Sequence, residues 1–202
     1  MNRTLNKYKK KLYVGLDASR ISKNVYHLPL IKILPRFFEV ESYDQVSHIL
    51  FTSRSAIPIF LEHYSLQSKE LIAIGPGTAQ KLIECGYRAA HIANLHTAEG
   101  VIQLLEHLTI AHLLLPHAAK ARPLLPTYLK ERGHLAIPIY DTELIYYESP
   151  PSLDLFDEII FTSPSTVEAF INLYGSLPLK KTLTSIGPIT QKSIELALIK
   201  KY

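Results

Sequence analysis

Ile49-Leu50-Phe51-Thr52-Ser53-Arg54-Ser55 and Ile159-Ile160-Phe161-Thr162-Ser163-Pro164-Ser165 are two copies of one pattern, an apolar run giving way to hydroxyls. A second pattern follows each copy: Ile74-Gly75-Pro76-Gly77-Thr78-Ala79-Gln80-Lys81 returns as Ile186-Gly187-Pro188-Ile189-Thr190-Gln191-Lys192. Phe51 to Phe161 is a step of 110 positions, and Gly75 to Gly187 a step of 112. Two motifs in the same order at nearly the same offset mark an internal repeat. The chain carries two related units.

Around these motifs, short β-rich runs alternate with helical patterns. Strands are expected at Leu12–Leu16, His48–Thr52, Leu71–Gly75, Arg88–Ile92, His112–Pro116, Glu158–Thr162 and Leu183–Gly187. In Thr97–Leu108 the residues Val101, Ile102, Leu104, Leu105 and Leu108 line one helical face, with Thr97 as N-cap. Lys120–Arg132 reads as a helix closing on Gly133, which tolerates positive φ. Alternating strand and helix implies parallel sheets covered on both faces.

The units need not be sequential. Residues 12–35 supply one strand and a weak helical stretch, while residues 144–202 supply two strands and two helices. Neither piece buries much core alone, so 1–35 and 144–202 are expected to form one discontinuous α/β domain. Residues 40–138, with four strands and four helices, form an inserted one. The chain then crosses twice, at 32–40 and 136–146, both β-prone, and these crossings are expected to pair as a two-stranded link.

Hydrophobic residues make up 47% of the 202 residues and charged ones 20%, close to ordinary globular usage, so a folded chain is the expectation. No apolar run approaches the ~20 residues needed to span a bilayer. The basic start is followed only by Leu12-Tyr13-Val14 before Asp17, too short for a signal peptide, so a cytoplasmic protein without a membrane partner is expected. A single cysteine, Cys85, excludes an internal disulfide and reads as a structural thiol in the last turn of a helix. The formal charge of +4 tolerates an anionic partner. The one dense basic run, Lys7-Tyr8-Lys9-Lys10-Lys11, reads as a solvated lead-in; no nucleic-acid signature accompanies it, and no nucleic-acid partner is expected. His107, His112 and His117 are five apart and do not share a helix face, so no metal is expected.

Each repeated motif runs from a strand into a turn and then a helix. In Phe-Thr-Ser-x-Ser the hydroxyls of Thr52, Ser53, Thr162 and Ser163 fall where an N-cap is wanted. In Gly-Pro-x-Thr, Gly75 and Gly187 let the chain leave the strand tightly, and Thr78 and Thr190 are placed to cap helices beginning at Ala79 and Gln191. Four helix N-termini thus arise at strand carboxyl ends, where α/β sheets hold ligands. A helix start binds carboxylate or phosphate. Four such starts from two domains point to a clasped polyanion. A flavin or nucleotide site is disfavoured, because Gly75-Pro76-Gly77 lacks the third glycine and a P-loop lysine. Tyr140 stands apart from the other tyrosines, lying in the second crossing and facing the interdomain space on one of two alternations.

These motifs resemble those of the uroporphyrinogen-III synthase family from Ile49 to Leu196. The likeness extends through Leu113-Leu114-Leu115-Pro116, Leu125-Pro126-x-x-Leu129-x-x-x-Gly133 and Ile139-Tyr140-x-Thr142. It implies two flavodoxin-like three-layer α/β domains with parallel sheets, joined by a two-stranded β linker. It implies a monomeric, cofactor-independent lyase of haem biosynthesis that closes hydroxymethylbilane, a linear tetrapyrrole with eight carboxylates, with inversion of its last ring (ring D). By the same resemblance Tyr140 is the weak general acid. Thr78 and Ser163 line the cleft beside Thr52, Ser53 and Thr190, and a transient contact with the preceding pathway enzyme is expected. Where the family opens its first strand into a Thr-Arg pair, this chain has Gly15-Leu16-Asp17-Ala18-Ser19-Arg20, and Ile189 replaces a frequent hydroxyl. The chain ends at Tyr202, where the family generally adds a strand and helix, so the discontinuous domain is expected to be either pared down or less stable and more mobile than is usual in the family. The competing expectation is a non-catalytic bilobal module that keeps the anion- or tetrapyrrole-binding cleft.

Overall fold

A computed structural model of the chain describes residues 10–17 and 25–199. Most of the basic run and the Ala18-Ser19-Arg20 part of the first loop lie outside the described residues. In chain order the elements are β1 (Lys11–Tyr13), β2 (Val25–His27), β3 (Ile31–Pro35), β4 (His48–Phe51), α1 (Ala56–Leu61), β5 (Glu70–Ala73), α2 (Pro76–Glu84) and β6 (His91–Ile92). Then follow α3 (Ala98–Leu105), β7 (Leu113–Ala118), α4 (Leu124–Lys130), β8 (Leu135–Leu144), β9 (Glu158–Phe161), α5 (Pro164–Tyr174), β10 (Thr182–Ser185) and α6 (Pro188–Ile199). The chain divides into two compact units, Met1–Lys32 with Glu143–Tyr202 and Ile33–Thr142.

Ile33–Thr142 is built on a six-stranded sheet of order β3-β8-β7-β4-β5-β6, parallel from β8 to β6. The strands β4, β5 and the first half of β7 alternate. Ile49, Phe51, Leu71, Ala73 and Leu114 point into one cluster with Ile57 and Phe60 of α1 and Ala79 and Leu82 of α2. Leu50, Ile72, Leu113 and Leu115 point the other way, against Val101 and Leu105 of α3 and Leu125 and Leu129 of α4. A strand covered on both faces has no polar side to show, which explains the apolar runs Ile49–Phe51 in β4 and Leu113–Pro116 in β7. Thr97 caps α3 as expected, its side chain accepting from the Gly100 N–H at 3.2 Å. The helix expected from Lys120 begins only at Leu124, because a residue before proline, here Arg122 before Pro123, is steered away from helical backbone. Gly133 ends it at φ 76°.

In the other unit the sheet order is β10-β9-β1-β2, all parallel. Leu12, Ile159 and Phe161 form one cluster with Val167 and Phe170 of α5 and Ile194 of α6. The expectation for residues 12–35 is corrected here. Val25–His27 is a strand, pairing with Lys11–Tyr13, and its Val-Tyr-His composition fits a strand better than a helix.

The two crossings pair with each other. β3 and β8 are hydrogen-bonded neighbours, with Arg36 N–H donating to Ile139 O and Ile145 N–H to Leu30 O, each at 2.9 Å. As one strand advances the other retreats, so the pair is antiparallel. It is no free-standing ribbon, however. Leu135–Tyr140 pairs with β7, so β8 is a strand of the six-stranded sheet. Phe38 and Val40, assigned to the first crossing, are buried in that unit's core.

Phe60 is fully buried and meets the rings of Phe38, Phe51 and Tyr64 at centroid distances of 5.9, 6.0 and 5.2 Å. Phe60→Ala is expected to destabilise the Ile33–Thr142 unit by about 3–5 kcal/mol in urea unfolding. A loss below about 1 kcal/mol would mean that this cluster does not hold the unit together.

Candidate functional site

The four motif helices begin just beyond the carboxyl ends of β4, β5, β9 and β10. Their starts differ from the expectation in one respect. α2 and α6 begin at Pro76 and Pro188, directly after the glycines, and Gly75 is the N-cap of α2. Proline at the first helical position has its φ pre-set and loses no bond by lacking an N–H, so it starts the helix two residues before the threonine can cap it. Thr78 and Thr190 therefore sit inside the first turn, 6% and 4% exposed, and are not caps.

The two hydroxyl motifs also part ways. In the second copy Ser163 caps α5, accepting from the Thr166 N–H at 3.3 Å. Thr166 answers by accepting from the Thr162 and Ser163 N–H groups at 3.2 Å each and donating to Ser163 O at 2.7 Å. Thr166, fully buried, is a residue that the motif reading passed over; Ser163-x-x-Thr166 is a capping-box spacing with threonine in place of the usual acid or amide. In the first copy α1 starts only at Ala56, and Ser53 Oγ accepts from the Ser55 N–H at 3.1 Å instead. The sequence reason is at the following position, where the second copy has Pro164 and the first has Arg54.

Within Ile33–Thr142, the Ser53 side chain is a polar neighbour of the Tyr140 hydroxyl. Tyr140 is 5% exposed and belongs to the cluster under α1 and α2, so of the two alternations weighed for it the inward one holds. Burial pushes its phenol above the ordinary value, and the polar Ser53 side chain beside it opposes that only in part. The phenol is thus protonated at neutral pH and able to donate. Thr52, by alternation along β4, lies toward the opposite face of the same edge. Gly75 lies against His96: a Cβ there would stand 2.8 Å from the imidazole Cγ. His117, at the end of β7, is 9% exposed and donates from Nδ1 to Ala118 O at 2.8 Å. Desolvation lowers its pKa, with the Lys130 charge adding to that; the Ala118 and Ala136 carbonyls oppose it.

In the discontinuous unit, Thr162 meets the end of β1, where a Cβ on Gly15 would fall 2.6 Å from Thr162 Cγ2. His27 Nε2 contacts Gly15 O at 2.7 Å on the same edge. Gly187 and, in the other unit, Gly77 stand at helix starts where an added Cβ would meet nothing within 4 Å. Backbone at both places is open to a carboxylate. Gly15, His27 and His96 join these edges without any motif signal, since only the strand register brings them there. Among the described residues no group of three or more His, Cys, Asp or Glu is placed to hold a metal ion. No helix among them is long and apolar enough to cross a membrane.

Solved structures share this fold. Uroporphyrinogen-III synthetase from Helicobacter pylori superposes with a TM-score of 0.65 at 22% identity, covering 96% of this chain and 89% of that one. A mutant uroporphyrinogen-III synthase from Thermus thermophilus gives 0.58 at 18%, covering 94% and 89%. A protein of Methanothermobacter thermautotrophicus provisionally named a uroporphyrinogen-III synthase is 29% identical over 75% of this chain and 70% of its own length. The family model for uroporphyrinogen-III synthase HemD matches residues 18–202, nearly the whole sequence. The chain belongs to the uroporphyrinogen-III synthase HemD family.

Proposed function

We propose that this chain converts hydroxymethylbilane to uroporphyrinogen III as a cofactor-independent lyase. The observation that carries the reading is the family match over residues 18–202. The pairing of a protonated, buried phenol with Ser53 at the carboxyl edge of a parallel sheet accords with it. The two units are read as flavodoxin-like domains, with β3 and β8 as the linker, in a monomeric cytoplasmic enzyme that touches its pathway predecessor transiently.

The chemistry asks for few groups. The terminal hydroxyl of the substrate leaves as water once it gains a proton, and the pyrrole nitrogen supplies the electron pair, leaving an azafulvenium cation. The substituted carbon of ring D attacks that cation to give a spiro intermediate. This reopens and closes at the other position, and loss of a proton restores the pyrrole. Tyr140 donates the first proton. The remaining task is to hold a flexible chain so that the hindered attack is the near one. Eight carboxylates supply a partner for each helix start. Gly75, Gly187, Thr52, Ser53 and Thr162 are assigned to binding. Thr78, Thr190 and Ser163 act from beneath, shaping the turns whose N–H groups meet the substrate.

With hydroxymethylbilane generated in situ, the product is expected to be mainly isomer III on chromatography. Isomer I alone, at the spontaneous rate, would leave a binding module without catalysis. Tyr140→Phe should lower kcat by about tenfold or more with the melting temperature little changed; wild-type turnover would exclude the acid role. Gly75→Ala should raise KM by about threefold or more, because the new methyl crowds His96 and the helix start. Since the backbone there is extended and suits any residue, adding His96→Ala should recover part of the loss. An unchanged KM in Gly75→Ala would remove that turn from the binding surface.

A further inference from the structure

Ile139 and Tyr140 are neighbours in sequence, yet both side chains enter the same buried cluster, under α1 and α2. Regular β backbone forbids this, because successive side chains point to opposite faces. The earlier part of β8 obeys the rule: Ala136 packs on the α3–α4 side and Ile137 on the α1–α2 side. Continued regularly, Ile139 would follow Ile137 and Tyr140 would turn away from Ser53. The register accounts for the difference. His117 pairs with Pro138, but Ala118 pairs with Tyr140, so β8 carries one extra residue at this point. A one-residue slip moves every later side chain to the other face.

Two features fall where the ladder slips. Pro138 has no N–H to offer β7. On β7 the Ala118 carbonyl is engaged by Nδ1–H of His117 at 2.8 Å. Beyond the slip the strands rejoin, with Ala119 N–H donating to Tyr140 O at 2.8 Å. His117 lies on β7 itself, and the charge of Lys130 on α4 is near enough to act on it. It contributes nothing to the Ser53–Tyr140 contact directly. Its effect is on the strand that carries Tyr140.

We infer that His117 is a positioning residue: by engaging the Ala118 carbonyl it maintains the bulge in β8 that turns Tyr140 into the cluster under α1 and α2, on the Ser53 side of the sheet. The catalytic consequence rests on the proposed role of Tyr140; the geometric claim stands apart from it. His117→Leu keeps the bulk of the ring and removes its hydrogen bonds. The ladder then has one obstacle, Pro138, in place of two, and Tyr140 is freed from its buried setting.

The first test is of geometry. Tyrosine ring carbons are labelled and the Tyr140 signal is assigned by its loss in Tyr140→Phe. In the wild type that signal should titrate above the ordinary ~10 of a phenol; in His117→Leu it should fall back toward that value, and His117→Asn, which retains a donor near Nδ1, should restore it. An unmoved titration in His117→Leu would overturn the inference whatever the activity does. The second test is kinetic. His117→Leu should lower kcat by about tenfold with KM within about twofold, and should shift product from isomer III toward isomer I. Adding Tyr140→Phe should cost little more, because both changes remove one function. Multiplicative losses in the double variant would show that His117 does not act through Tyr140. A wild-type kcat in Tyr140→Phe alone, with the titration shifted in His117→Leu, would sink the acid role and leave the positioning geometry intact.

Discussion

A parallel strand buried on both faces must be followed by a connection that returns over the sheet, and that requirement organises this protein. Strands joined in this way point the same way, so the turns from strand into helix gather along one edge. In Ile33–Thr142 the alternation of Ile49 and Phe51 against Leu50 shows the sheet covered on both sides. The helix starts at Ala56 and Pro76, and at Pro164 and Pro188 in the other unit, follow from that arrangement. A polycarboxylate ligand suits such edges because each helix start carries unpaired N–H groups and a partial positive charge.

The internal repeat makes equivalent positions comparable, and they are not used alike. Pro164 starts its helix directly, so Ser163 is a cap locked in a reciprocal pair with Thr166. Arg54 delays the corresponding helix to Ala56, which leaves Ser53 to meet Tyr140. One substitution within a repeated pattern thus separates a hydroxyl that holds the backbone from one that reaches a phenol. Proline has a similar effect in the second motif. Because Pro76 and Pro188 begin their helices early, the threonines that resemble binding groups are enclosed in the first turn.

Much of the fold was legible in the residues. Apolar runs of the length of a strand, hydroxyl and glycine punctuation, and the offset between the two copies were enough for an α/β chain with parallel sheets and a repeated pair of turns. Thr97 and Gly133 marked the ends of their helices because capping is local chemistry. Val25–His27 escaped notice, since three residues carry too little periodicity to separate strand from weak helix. The candidate site was legible only as motifs. Thr52, Ser53, Gly75, Thr162, Ser163 and Gly187 all lie at strand ends as expected, but what their side chains touch was not.

Sequence alone determined the kind of element at each motif and the edge on which it ends, because those depend on neighbours along the chain. Tertiary structure alone decided which residues from separate strands meet: Ser53 with Tyr140, Gly75 with His96, and Gly15 with Thr162. It also decided the face on which Tyr140 lies. An extra residue in β8 reverses the alternation that a sequence pattern assumes, and a bulge is defined only relative to the strand beside it. Pairing register is a property of two strands together, so neither strand's residues can state it.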